Sequence, residues 1–397
     1  MRLAGTTARL STRTTPRRTP VGGRVHRCAD GAEARKTVAA ICAAAGARRA
    51  AKSKSMATEE IGLNEALEEV GIEVVETDLG EYILQLAGEA PVHIVAAAIE
   101  KTAEDVAELL SRVDGAPVPP ELAALTRAAR RQLREAFLTA DVGITGANFG
   151  VAETGSICLV TNEGNGRLVS SLPRVHVVVM GLERLVPTLA DLSVLLRLLA
   201  RSATGQKLTS YTTLITGPRR EGEEDGPEEL HVVVLDNGRT DLLGSRYREM
   251  LHCIRCGACL NVCPVYRRSG GGAYGPVYSG PMGAVLAPLL AGLERAPDLP
   301  HASSLCGACT SACPVKIPLH ELLLDLRRDQ VDRRIAPLGE RLAFTLWSFA
   351  WSRPWTYRAT SAVARVARPF GSLVGPGRTW SRARQLPALA RRRYRDR

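Results

Sequence analysis

"CIRCGACLNVCPVY", Cys253 to Tyr266, packs four of the chain's ten cysteines into one short run at spacings of two, two and three. A partial echo, "LCGACTSACPVK", Leu305 to Lys316, carries three more. Structural zinc takes four ligands as two CxxC or CxxH pairs set a dozen or more residues apart, so a third cysteine directly after a CxxC suits one tetrahedral ion poorly. A C-x2-C-x2-C loop instead wraps three corners of a [4Fe–4S] cluster, and the fourth cysteine, followed by proline, serves the other cluster of a pair. That rule predicts a crossed arrangement. Cys253, Cys256, Cys259 and Cys313 hold cluster 1, and Cys263, Cys306 and Cys309 hold cluster 2.

Aligning the two runs puts Ser303 where the first run has Cys253, so the second cluster lacks one protein thiolate. A Ser303 oxygen, solvent, a partner's ligand or a [3Fe–4S] core would each answer that gap. Between the runs lie a Gly- and Pro-rich loop and "GAVLAPLLAGL", a helix, which points to a helical dicluster domain rather than a minimal ferredoxin. Cys28, Cys42 and Cys158 have no close thiol neighbours and read as small buried hydrophobes. Thiols in CxxC spacing belong to a reducing compartment, so the expected location is cytoplasmic.

Upstream of the cysteines the pattern is α/β. "ARKTVAAICAAAGA" reads as a helix ending at Gly46; "TEEIGLNEALEEVGIEVVE" as an N-cap at Thr58, a helix stopped by Gly71, then a strand; "TAED" at Thr102–Asp105 opens another helix, and "PPELAALTRAARRQLREAFLTA" supplies a long one. The runs "IEVVE", "DVGIT", "SICLVT", "RVHVVVM", "YTTLIT" and "ELHVVVLD" alternate with these helices. Several are apolar on both faces, as parallel strands covered by helices are. The expected organisation is a disordered or leader segment over 1–27, a mostly parallel α/β domain over 28–242, a helical, ferredoxin-like dicluster domain over 243–330 and a basic helical tail over 331–397.

The net charge of +11 is unevenly spread. Residues 1–27 hold seven Arg and no acid, and residues 341–397 hold thirteen Arg against Asp396, which leaves residues 28–340 at −8. An acidic body argues against a nucleic-acid-binding core. No apolar run reaches the roughly eighteen residues of a membrane span. All four tryptophans, Trp347, Trp351, Trp355 and Trp380, lie in the basic tail. Together with Phe344 they suit packing on the protein's own body, a partner's acidic face, or peripheral contact with an anionic membrane.

"DVGITGANFGVAETGSICLVTNEGNGR", Asp141 to Arg167, sets Gly143, Gly146, Gly150, Gly155, Gly164 and Gly166 around two strands, in neither a Walker nor a dinucleotide pattern. Glycines here serve tight turns or let backbone N–H groups approach an anion. Glu153, Asn162, Glu163 and Asn165, with Lys52, Lys54, Arg167 and Lys207, are the candidates for binding a small anion such as L-lactate or another carboxylate. His176, inside "RVHVVVM", reads as a satisfied core residue.

That glycine-rich stretch, with "KSKSMATEEIGLNEAL", "ETDLGEYILQLAGE", "RSATGQKLTSYTTLITGPRR" and the two cysteine runs, resembles the LutB/LldF-type lactate utilization iron–sulfur proteins from about Gly22 onward. The resemblance implies a LUD domain, similar in fold to CoA-transferase and sugar-isomerase-like α/β proteins. It implies a subunit of a three-part system oxidising L-lactate to pyruvate, with a Cys-rich partner and a second LUD protein, and it carries the seven cysteines over as ligands of two [4Fe–4S] clusters. It carries over no catalytic residue. Members have a helical segment ahead of the position of Gly22, where this chain has its Arg-rich head. A redox-sensing or scaffold protein whose LUD domain binds a small anion is the alternative from another functional class.

Overall fold

Strand Val175–Gly181 is buried at every residue, and its alternate side chains enter two different cores. Val175, Val177 and Val179 join Val38, Leu63, Leu67 and Ile144 on one side, while Val178 and Met180 join Ile157, Val232 and Val234 on the other. A strand with two apolar faces belongs in the middle of a helix-covered parallel sheet. Each fully buried Val adds about 1.5–3 kcal/mol to such a core.

The computed structural model describes residues 17–18, 21–91, 96–275 and 277–367. Its eleven strands are β1 (Arg17–Arg18), β2 (Arg24–Cys28), β3 (Arg49–Lys52), β4 (Glu73–Glu76), β5 (Val142–Thr145), β6 (Phe149–Val151), β7 (Ser156–Thr161), β8 (Val175–Gly181), β9 (Leu185–Val186), β10 (Tyr211–Ile215) and β11 (Glu229–Leu235). The main sheet runs β1-β2-β11-β8-β5-β3-β4, all parallel except β1. The expected mostly parallel α/β fold is therefore present.

A second sheet, β10-β7-β6-β9, was not anticipated. "SICLVT" and "YTTLIT" are strands, but they pair antiparallel with each other in that sheet. Strands β2 and β3, "RVHRC" and "RAAK", carry charges that hide them from a hydrophobicity reading. Because β2 begins at Arg24, the boundary placed at residue 27 falls inside a strand.

The helix expected to start at Thr58 starts at Met56, and Ser55 caps it by accepting from the Thr58 N–H. Gly62, at φ +60°, then separates Met56–Glu60 from Leu63–Glu68, and Gly71 ends the pair at φ +82°. The capping box at Thr102 and Asp105 forms as expected. Gly143 is required by a close approach, since a Cβ there would lie 1.9 Å from the Val169 carbonyl.

The chain through Arg328 is one compact unit, so the boundary at 242/243 marks a change of secondary structure rather than a break in packing. Residues from Asp329 onward form a second unit, containing the helices Leu338–Ser352 and Pro354–Ala367.

Candidate iron–sulfur and anion sites

The two cysteine runs fold alike. Gly257 and Gly307 stand at φ +77° and +79° and begin the short helices Ala258–Val262 and Ala308–Ala312. Arg255 and Leu305, one residue before the second cysteine of the motif, take φ +60° and +54°; Cys263 and Cys313 end the helices at ψ 118°, each followed by a proline. These matched backbones place Ser303 at the position of Cys253, and its hydroxyl accepts from the Leu305 N–H.

Cys253, Cys256, Cys259 and Cys313 line one cavity, whose other walls are Arg255 and apolar side chains such as Ile254, Met282, Val315 and Ile317. Burial is the main cause that pushes up the Cys309 thiol, with Cys263 a smaller one, and Cys309 in turn contributes to the rise of the buried Cys259. Cys306 is exposed, and the Ala308 N–H lowers its thiol pKa. Sulfurs around one zinc would sit about 3.8 Å apart, from Zn–S bonds of about 2.3 Å. Among the described residues, no three cysteine sulfurs lie within 4.8 Å of one another. Thiolates gathered at one cavity are the donor type that iron–sulfur clusters take. Cys28, Cys42 and Cys158 are buried in the α/β part, as expected.

A cavity of about 340 Å³ opens beside the first run, at the carboxyl ends of β3, β5 and β8. Ligands of open parallel sheets bind at that edge. Its lining includes Lys54, Asn162, Glu163 and Asn165 from the sequence candidates, together with Asp78, Glu183, Arg184 and Arg239. Ile254, Arg255 and Tyr278 close it from the cysteine region.

Other candidates fall elsewhere. Glu153 is exposed and accepts from the Leu189 N–H at the start of the helix Leu189–Thr204. Arg167 and Lys207 are exposed and absent from the lining. Lys52 is no anion partner: it is wholly buried, and its ammonium donates to Glu59 and Glu76. His176 shares a 2.8 Å hydrogen bond with the Thr145 hydroxyl, and burial lowers it to about 3, so it is neutral; its Nδ1 has no partner, and it is only half satisfied.

The charged wall of the cavity escaped the sequence reading. Arg239 grips Glu60 through both Nη atoms at 2.9 and 2.7 Å and reaches Glu183 through Nε. Glu183 also lies 3.3 Å from Arg255 Nη2 and 3.9 Å from Arg184 Nε. Burial would raise Glu183, but Arg239, Arg184 and Arg255 outweigh it and hold the carboxyl at about 2. Tyr278 donates to Glu60, and its ring lies 4.6 Å beneath the Arg255 guanidinium. Arg184 donates to the Cys253 carbonyl at 3.1 Å. Gly181 leaves the space, since a Cβ there would meet Glu183 at 2.1 Å.

Residues 12–235 match the LUD domain family, 249–317 the 4Fe-4S dicluster domain, and 332–397 the C-terminal region of lactate utilisation protein B. Curated proteins called lactate utilization protein B from Shouchella clausii and Bacillus thuringiensis are each 51% identical over 383 residues, covering 94% of this chain and 81% of theirs. Among solved structures, a DUF162 family protein from Deinococcus radiodurans aligns over 52% of this chain and 99% of its own at 16% identity and a TM-score of 0.23.

Proposed function

Because the chain belongs to the lactate utilization protein B family, we propose that it is the electron-transfer subunit of a system oxidising L-lactate to pyruvate. Cys253, Cys256, Cys259 and Cys313 hold one [4Fe–4S] cluster, and Cys263, Cys306 and Cys309 hold three corners of a second. The observation that carries this reading is that thiols from two loops, Cys253–Cys259 and Cys313, line a single cavity. Each cluster, when bound, carries one electron at a time, so a pair matches the two electrons lost when a 2-hydroxy acid becomes a 2-oxo acid.

The chain's own residues supply the frame. The paired helices Ala258–Val262 and Ala308–Ala312 hold the two loops against each other, and Arg184 fixes the Cys253 carbonyl. A Cys-rich protein and a second LUD protein complete the system, and the basic tail places it at the cytoplasmic face of a membrane. Among the described residues no helix is long and apolar enough to cross one.

Anaerobic iron and sulfide analysis with EPR tests the assignment. The full chain should hold about eight iron, and Cys313→Ala and Cys263→Ala should each remove a different cluster, leaving about four. If both variants lose the same signal, the crossed arrangement fails. Colourless, zinc-filled protein would end the electron-transfer reading altogether.

A further inference from the structure

Three guanidiniums, those of Arg184, Arg239 and Arg255, share two buried carboxylates, those of Glu60 and Glu183. Arginine does not give up its proton inside a protein. Arg239 holds both acids in the ionised form, and Glu60 is lowered despite a burial that would raise it. These five side chains therefore carry one positive charge in excess. Arg255 is where the excess shows. Its side chain is 11% exposed, its Nη2 contact with Glu183 is a long 3.3 Å, and its Nη1 is buried without a hydrogen-bond partner. A buried cation without a full set of acceptors is costly, and an anion beside Arg255, which lines both this cavity and the cysteine cavity, lowers that cost.

We propose that the cavity at the carboxyl ends of β3, β5 and β8 binds the carboxylate of a small organic acid between Arg184, which follows β8, and Arg255, on the loop that carries Cys253 and Cys256. The inference rests on the electron-transfer reading for its purpose and names the substrate class of that site. Guanidinium recognises carboxylate with short, charge-assisted hydrogen bonds. The single excess charge of the arginine–glutamate cluster suits a monoanion, and Glu183 on the same wall repels a phosphate dianion more strongly than a monocarboxylate. The cavity, about 340 Å³, is at the lower end of the range of small-molecule sites. Apolar side chains, Met180, Leu199 and Ala200, cover the rest of the ligand. The arrangement would bring a 2-hydroxy or 2-oxo acid beside the cluster loop.

Iron-replete, anaerobically purified full-length chain is titrated by calorimetry with L-lactate, pyruvate and inorganic phosphate. The expected result is saturable one-to-one binding of an organic acid, at least about tenfold tighter than phosphate, and weakened about tenfold or more by Arg255→Lys. Arg255 occupies a strained position inside the cluster loop, so a second variant guards the test. Ala203→Phe fills the cavity from the helix Leu189–Thr204 without changing a cysteine or an ion pair. It should abolish binding while iron content and EPR spectra stay as in the wild type. Iron-replete protein that binds neither acid, that binds phosphate as tightly, or that binds unchanged in Ala203→Phe overturns the proposal and shows that the arginines serve only the cluster. Loss of iron from the wild-type chain would strike the electron-transfer reading instead.

Discussion

Lys52 faces three carboxylates in the α/β core: it donates to Glu59 and Glu76, and Glu81 lies 4.0 Å away. Lys54, which lines the cavity, lies 3.8 Å from the other oxygen of Glu81. Neither Glu81 oxygen accepts a hydrogen bond. Burial dominates and, with Glu76 and despite Lys52, pushes Glu81 up to about 8. The folded state then holds a proton that the unfolded state releases above its ordinary value of 4.5. Stability contributed by this group is complete below about 4.5 and is lost as pH rises toward about 8. Glu81→Gln keeps the shape and removes the titration. Thermal unfolding followed by circular dichroism at constant cluster content should fall less from pH 5 to pH 8 in the variant than in the wild type. Equal slopes would mean that Glu81 is ionised in the folded protein. The sequence marks Lys52 as a candidate anion partner but not its burial, because its three partners come from separate elements.

At the scale of elements, the duplicated cysteine helices make the missing thiol a local property. Ser303 has the backbone setting of Cys253, down to the positive φ of Leu305 and Arg255 two residues on. Ser303→Cys should therefore complete the second cluster without rebuilding the loop. The expected outcome is iron near eight per chain, as in the wild type, with slower loss of the second cluster's EPR signal under air. Unchanged air sensitivity would show that this corner is already held by another ligand. The cysteine runs were legible because their information is contained in local spacing. The parallel strands were legible where both faces were apolar, as in β5, β8 and β11. Charged residues concealed β2 and β3, although both pair inside the same sheet. The N-cap moved from Thr58 to Ser55 because both can accept from a helical N–H, and only the fold of the preceding strand decides between them. Contacts such as Arg239–Glu60 and Tyr278–Glu60 join residues 179 and 218 positions apart, which no periodicity reports.

The whole molecule sets an acidic body between basic ends, and the second unit concentrates aromatic rings with arginine. Trp347, Trp351 and Trp355 are 56%, 57% and 61% exposed, Phe344 62%, and the helix Leu338–Ser352 has no buried residue. Trp380 lies outside the described residues. The rings contact each other, Trp347 with Trp351 at 5.8 Å and Trp351 with Tyr357 at 5.5 Å, so a pre-formed aromatic surface stands among cations. Aromatic rings settle at the headgroup level of a bilayer, and each nearby Arg adds about 1 kcal/mol of attraction to an anionic leaflet. The full chain should co-sediment with phosphatidylglycerol vesicles at low salt and not with neutral phosphatidylcholine vesicles, with a blue shift of tryptophan fluorescence on binding. Raising the salt to 1 M shortens the screening length to about 3 Å and should release most of the protein. Trp347→Ala with Trp351→Ala should weaken the association at low salt while iron content is unchanged. Equal binding to both vesicle types, or none to the anionic ones, would move the tail's role from a lipid surface to a protein partner.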